Sequence, residues 1–68
     1  MNTEELVLGI LNGSSISLTA GEVASKADIH EATAAKCLSI LEARDIIERR
    51  IVAGTELYTM KGRKRGIF

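Results

Sequence analysis

The apolar residues of this 68-residue chain change their spacing at Asp45. Before that point they recur three and four positions apart, the period of a helix; after it they alternate, the period of a strand. Ala34, Cys37, Leu38 and Leu41 make one apolar stripe on a helix predicted from Glu31 to Arg44. Its other face carries Ala32, Ala35, Lys36, Ser39 and Ala43. Beyond Asp45, residues Ile46 to Ala53 and Glu56 to Met60 read as two strands rich in β-branched side chains, with a tight turn at Gly54-Thr55. A lone hairpin is marginal in water, so this one should pack on the helices before it.

Two further helices precede the change of period. Thr3 is the expected cap of the first, with Glu4 and Glu5 at its positive end. Leu6, Val7, Ile10 and Leu11 fall on one face, and Gly13 suits the left-handed position that ends a helix. Ile16-Ser17-Leu18 alternates and reads as a very short strand, a candidate third partner for the hairpin. Thr19-Ala20-Gly21-Glu22 is a capping box, in which Thr19 and Glu22 satisfy each other's backbone N–H groups. The helix it opens ends near Lys26 or Ala27, where Asp28 tolerates the left-handed conformation. Ile29 follows, and His30 stands at the cap of the next helix.

A chain of this length makes one domain and buries only about 60% of its unfolded surface, so a partner or a second copy would help it. Residues 1–62 are read as that domain, and residues 63–68 as a basic, mobile tail. One Cys and one His exclude a Cys/His zinc site on a single chain. No nucleophile–base pair or paired carboxylates can be assembled, and a pocket of several hundred Å³ is hard to build from so few residues. No catalytic residue, metal or cofactor is therefore expected. The acidic amino-terminal segment is no signal peptide, no apolar run approaches the ~18 residues of a membrane span, and the single Cys suits a reducing compartment. The expected location is the cytoplasm.

The formal net charge of zero hides a division. Residues 1–48 hold eight acids and three bases, a net charge of −5, whereas residues 49–68 hold six bases and one acid, a net charge of +5. That asymmetry fits a basic arm for a polyanion on an acidic body; the plainer reading is a solvated surface.

Helix, short extended piece, capped helix, turn, helix and hairpin, in that order, is an α+β layout. It resembles the winged helix-turn-helix, with three helices, a short strand and a carboxy-terminal hairpin wing. Leu18 to His30 resembles the first helix and turn of regulators of the MarR and ArsR type. Thr33, Leu38, Leu41, Glu42 and Asp45 to Arg50 resemble their recognition helix and the start of the wing, and Leu57 to Arg63 the wing's end. The resemblance spans about residues 16 to 63 and constrains fold more than function. It implies sequence-specific binding of double-stranded DNA by a small transcriptional regulator. The third helix would enter the major groove, with the wing on adjacent backbone or minor groove.

The residues that would face DNA are then His30, Glu31, Ala32, Thr33, Ala35, Lys36 and Ser39 on the helix, with Arg49, Arg50, Thr55 and Lys61 on or near the wing. Arg63, Lys64 and Arg65 extend the basic surface into the tail. Lys36 would reach phosphate or guanine, Thr33 a phosphate, and Ala32 or Ala35 a thymine methyl. Arg49 and Arg50 are adjacent in a strand and point to opposite faces, so one of them is expected to pair with Glu48, Glu56 or Glu42. The third helix offers few cations and opens on Glu31. A second reading is therefore a winged helix that packs its Ala32/Ala35 face on a protein partner. A homodimer is expected for the DNA-binding reading, through the first helix, the hairpin edge or the tail. Cys37 lies on the inner stripe and reads as a buried, inert thiol.

Overall fold

The computed structural model describes residues 2–62, so the expected basic tail at 63–68 lies outside the described residues. Three helices, α1 (Thr3–Gly13), α2 (Ala20–Ala27) and α3 (Glu31–Ala43), are followed by strands β1 (Ile47–Val52) and β2 (Thr55–Met60). The strands pair antiparallel from Ile47↔Met60 to Val52↔Thr55. Leu18 joins them through one bridge to Tyr58, with N–H···O distances of 3.0 and 2.7 Å. The expected third strand is thus a single residue pair, and Ile16 stays 67% exposed.

The core sits where the three helices meet the first half of the hairpin. Val7 and Leu11 of α1, Val23 and Ala24 of α2, and Ala34, Cys37, Leu38 and Leu41 of α3 close over Leu18, Ile47 and Tyr58. Burying a side chain such as Leu38, which has no exposed surface, contributes about 2–3 kcal/mol.

Local chemistry sets the helix ends. Asn2, not Thr3, caps α1, its Oδ1 accepting from the N–H of Glu5 at 2.8 Å. Both residue types cap well, and the one placed a residue earlier lets Thr3 join the first turn. Nor is Gly13 left-handed: α1 runs through it and stops at Ser14, whose N–H donates to Leu11 O. The Thr19–Glu22 capping box is formed in both directions, at 2.8 and 3.1 Å.

The ends of α2 and α3 are built alike. Asp28 and Asp45 both adopt positive φ, 58° and 65°. The following isoleucines donate their N–H groups back to Ala24 O (Ile29, 3.0 Å) and Leu41 O (Ile46, 3.1 Å). These are Schellman motifs, in which a left-handed residue satisfies the last carbonyls and the next residue packs inward. Ile29 and Ile46 do pack against the core. One such stop turns α2 into α3; the other turns α3 into the wing.

The hairpin turn lies one residue earlier than the sequence suggests. Ala53 and Gly54 form the loop, with φ of 52° and 81°, and Thr55 already belongs to β2. A two-residue hairpin with both φ positive is a type I′ turn, whose twist matches that of the strands. Ala carries no turn signal and is strained there. Asn at this site should relieve the strain, so Ala53→Asn is expected to stabilise the fold by about 0.5–1 kcal/mol. In a domain this small that raises Tm by roughly 2–8 °C in a thermal melt. An unchanged or lower Tm would contradict the turn assigned to this loop.

Candidate nucleic-acid interface

Helix α3 has one buried side and one open side. At about 100° per residue, Ala34, Cys37, Leu38 and Leu41 share the inner side and are all buried. Ala32, Lys36, Ser39 and Ala43 share the outer side and are exposed, with Ala35 partly covered at its edge. His30 caps the helix through its backbone alone, so its imidazole is not held by a capping hydrogen bond. Thr33 and Lys36 border a shallow groove whose other wall is Asn2, Thr3 and Glu4 of α1.

Glu31 is exposed beside the start of α2. Its Oε2 lies 3.7 Å from where a Cβ would stand on Gly21, over the first turn of α2. A negative charge close to the positive end of α2 is favourable there. Burial, with a smaller contribution from Glu4, pushes the Cys37 thiol up, as expected of an inner-face residue.

The hairpin sorts its cations by face. Ile47, Arg49 and Ile51 share the side turned toward α3, while Glu48, Arg50 and Val52 share the other. Arg49 Nε lies 3.4 Å from Glu42 of α3, and its Nη1 lies 3.3 Å from Glu56 of β2. Glu42 above all, then Glu56, holds the guanidinium more firmly protonated than usual. The second oxygen of Glu56 accepts from the Tyr58 hydroxyl at 3.2 Å. At the base of the wing Lys61 Nζ lies 2.7 Å from Asp45 Oδ1, and that hydrogen bond raises the ammonium's pKa. Arg44 reaches Glu4 of α1 at 3.2 Å.

The residues expected to face a ligand therefore divide into three groups. His30, Glu31, Ala32, Thr33, Ala35, Lys36 and Ser39 lie together along the first turns of α3, with Thr55 at the wing turn and Arg50 exposed on the wing's outer face. Arg49 and Lys61 are engaged in ion pairs within the domain. Arg63, Lys64 and Arg65 lie outside the described residues. Of the two adjacent arginines, Arg49 is the one that pairs, and it takes two of the three carboxylates foreseen for it. The pairs Arg44–Glu4 and Lys61–Asp45 have no local signal in the sequence, since their members stand 40 and 16 residues apart. Among the described residues no three His, Cys, Asp or Glu side chains are grouped to hold a metal ion, and no helix is long and apolar enough to cross a membrane.

No protein-family model and no curated protein matches the chain. Solved structures do. A single-residue mutant of MepR from S. aureus superposes with a TM-score of 0.77 at 21% identity, covering 91% of this chain and 49% of that one. A crystal structure of a MepR–DNA complex from S. aureus gives 0.75 at 21%, covering 91% and 54%. NolR from Sinorhizobium fredii gives 0.71 at 22%, covering 90% and 60%. The chain thus spans about half the length of the structures it matches. Its fold is the winged helix-turn-helix: three helices followed by an antiparallel hairpin wing.

Tyr58 reports on the wing's attachment. Burial, then the hydrogen bond it donates to Glu56, pushes its phenol above the ordinary tyrosine value. Because the folded state holds that proton more tightly, the associated stability is whole below about pH 10 and is lost as pH rises through the folded value. The chain has one Tyr and no Trp, so the absorbance change of an ionising phenol follows this group alone. A midpoint higher in the folded chain than in denaturant is expected; equal midpoints would place Tyr58 in water.

Proposed function

We propose that the domain binds double-stranded DNA, laying the outer face of α3 in the major groove and the wing on adjacent backbone. The observation that carries this reading is the open side of α3. Ala32, Ala35 and Ser39 let the helix backbone approach closely, and Lys36 stands among them. A major groove about 12 Å wide admits one α-helix. Lys36 would contact guanine or phosphate, Thr33 and the N-terminal end of α3 a phosphate, and Ala32 or Ala35 a thymine methyl. Arg50 supplies a wing cation that makes no ion pair among the described residues. Arg63, Lys64 and Arg65 would add sequence-independent attraction. MepR, which shares the fold, has been crystallised with DNA. A small transcriptional regulator acting as a homodimer on a two-part site is the form this activity would take.

One observation favours a second reading. Three of the six described Lys and Arg residues, Arg44, Arg49 and Lys61, are paired internally, leaving α3's outer face with Lys36 alone. A small, nearly neutral face of that kind could instead pack on a protein.

Titration of a labelled duplex, drawn from a random pool by selection on the protein, separates the two. Two phosphate contacts already imply about a tenfold loss of affinity between roughly 50 and 200 mM salt. Replacing Lys36 by Ala should relax the preference at one base position by roughly 1–3 kcal/mol, whereas replacing Arg63, Lys64 and Arg65 together should weaken all duplexes alike. Absence of binding at low salt, or binding indifferent to salt, would sink the DNA reading and leave the protein-docking one.

A further inference from the structure

We propose that Arg49 is a positioning residue of this interface rather than one of its contacts: it ties the wing to α3 and so sets where the wing stands against a duplex. The proposal rests on the DNA-binding reading and assigns a role within it.

The hairpin needs such a tie. Each strand has six residues, and only its base is seated on the core. Along β1, Ile47 is buried and Glu48 half-buried, but the four residues from Arg49 to Val52 are exposed. Ile51 and Val52 near the tip are 60% and 48% exposed, so little apolar packing steadies that end. A two-stranded ribbon held only at its base can swing and twist about it. Arg49 stands where the buried half gives way to the exposed half.

Its contacts run across the joint. Nε faces Glu42 on the last turns of α3, and Nη1 faces Glu56 on the far strand, so one rigid planar group spans helix, near strand and far strand. Glu56 is itself aligned. Tyr58, the cross-strand partner of Arg49 and only 5% exposed, donates to the oxygen that Arg49 leaves open. The path from α3 to the wing is therefore Glu42, Arg49, Glu56, Tyr58, and it ends in the core. Exposed ion pairs add little to global stability. Their effect here falls on the direction of the wing. Lys cannot replace the fork, since an ammonium is a point charge and does not offer two donors in a fixed plane. Arg50, on the opposite face and without such partners, is the wing cation left to meet phosphate.

Arg49→Ala, Arg49→Lys and Arg50→Ala, compared with the parent chain, test this. Amide hydrogen exchange is followed without DNA, and affinity for the selected duplex is followed across salt. Arg49→Ala should speed exchange of the hairpin amides several-fold relative to those of α3 and weaken duplex binding, with the slope of log affinity on log salt unchanged. Arg49→Lys should restore neither. Arg50→Ala should leave hairpin exchange as in the parent and reduce the slope by about 0.9, one phosphate contact. The proposal is overturned if Arg49→Ala lowers the slope by that amount with the hairpin amides unaffected, which makes Arg49 a contact. It is equally overturned if Arg49→Ala changes neither measurement, or if Arg49→Lys behaves as the parent. Should the parent bind no duplex at any salt, the DNA reading fails, and unchanged hairpin exchange in Arg49→Ala would still separately reject the tie.

Discussion

Everything outward in this domain depends on four inward residues. Ala34, Cys37, Leu38 and Leu41 hold α3 to the body by one side, and their burial leaves the opposite side of the helix uncovered. Ala24 of α2 and Ala34 of α3 are both buried in that core, where their small side chains take little room. The Schellman turn at Asp28 fixes the angle at which α2 and α3 meet, and the matching turn at Asp45 launches the wing from the far end of α3. The open face of α3 and the wing are thus placed relative to one another by backbone geometry and burial before any charge acts.

Charge then refines the arrangement. The division between an acidic body and a basic carboxy-terminal stretch suggests cations waiting for a polyanion, yet Arg49 and Lys61 of that stretch serve as cross-links, as does Arg44 of the body. Arg44 ties α3's end to α1, Lys61 ties the end of the hairpin to the Asp45 turn, and Arg49 ties the middle of the hairpin to α3. These exposed pairs are each worth ~0.2–1 kcal/mol, small beside the apolar core, but they converge on the joint between α3 and the wing. Two acidic residues at the carboxy-terminal end of α3 are correspondingly occupied, Glu42 by Arg49 and Asp45 by Lys61. The body's negative charge at that end of α3 is therefore smaller than its total implies.

What the sequence disclosed and what it hid follow from the range of the forces involved. The capping box at Thr19 and Glu22, the left-handed turn at Asp28 and the inner stripe of α3 are written in neighbours three or four residues apart, and each is found as expected. The opposite faces of Arg49 and Arg50 follow from strand period alone. Expectation and structure part where two residues compete for one local role, as Asn2 and Thr3 do for the cap of α1, or where a residue without turn chemistry is forced into a turn, as Ala53 is. Asp45 gives no clear signal as a left-handed stop because Ile46 and Ile47 already read as strand. The partners of Arg44 and Lys61 are illegible for a different reason: only the folded backbone brings side chains 40 and 16 residues apart together. Lys61, which sequence pattern alone places on the wing as a candidate contact, is paired with Asp45.

Whether a duplex docks on the uncovered side of α3 is decided by mapping backbone amide shifts of the labelled chain as a selected duplex is added. The largest changes are expected at Ala32, Thr33, Ala35, Lys36 and Ser39, a second group around Arg50 and Thr55, and little change along α1 at Leu8 and Asn12. Shifts concentrated on α1 with α3 silent, or no shifts at low salt, would contradict docking there.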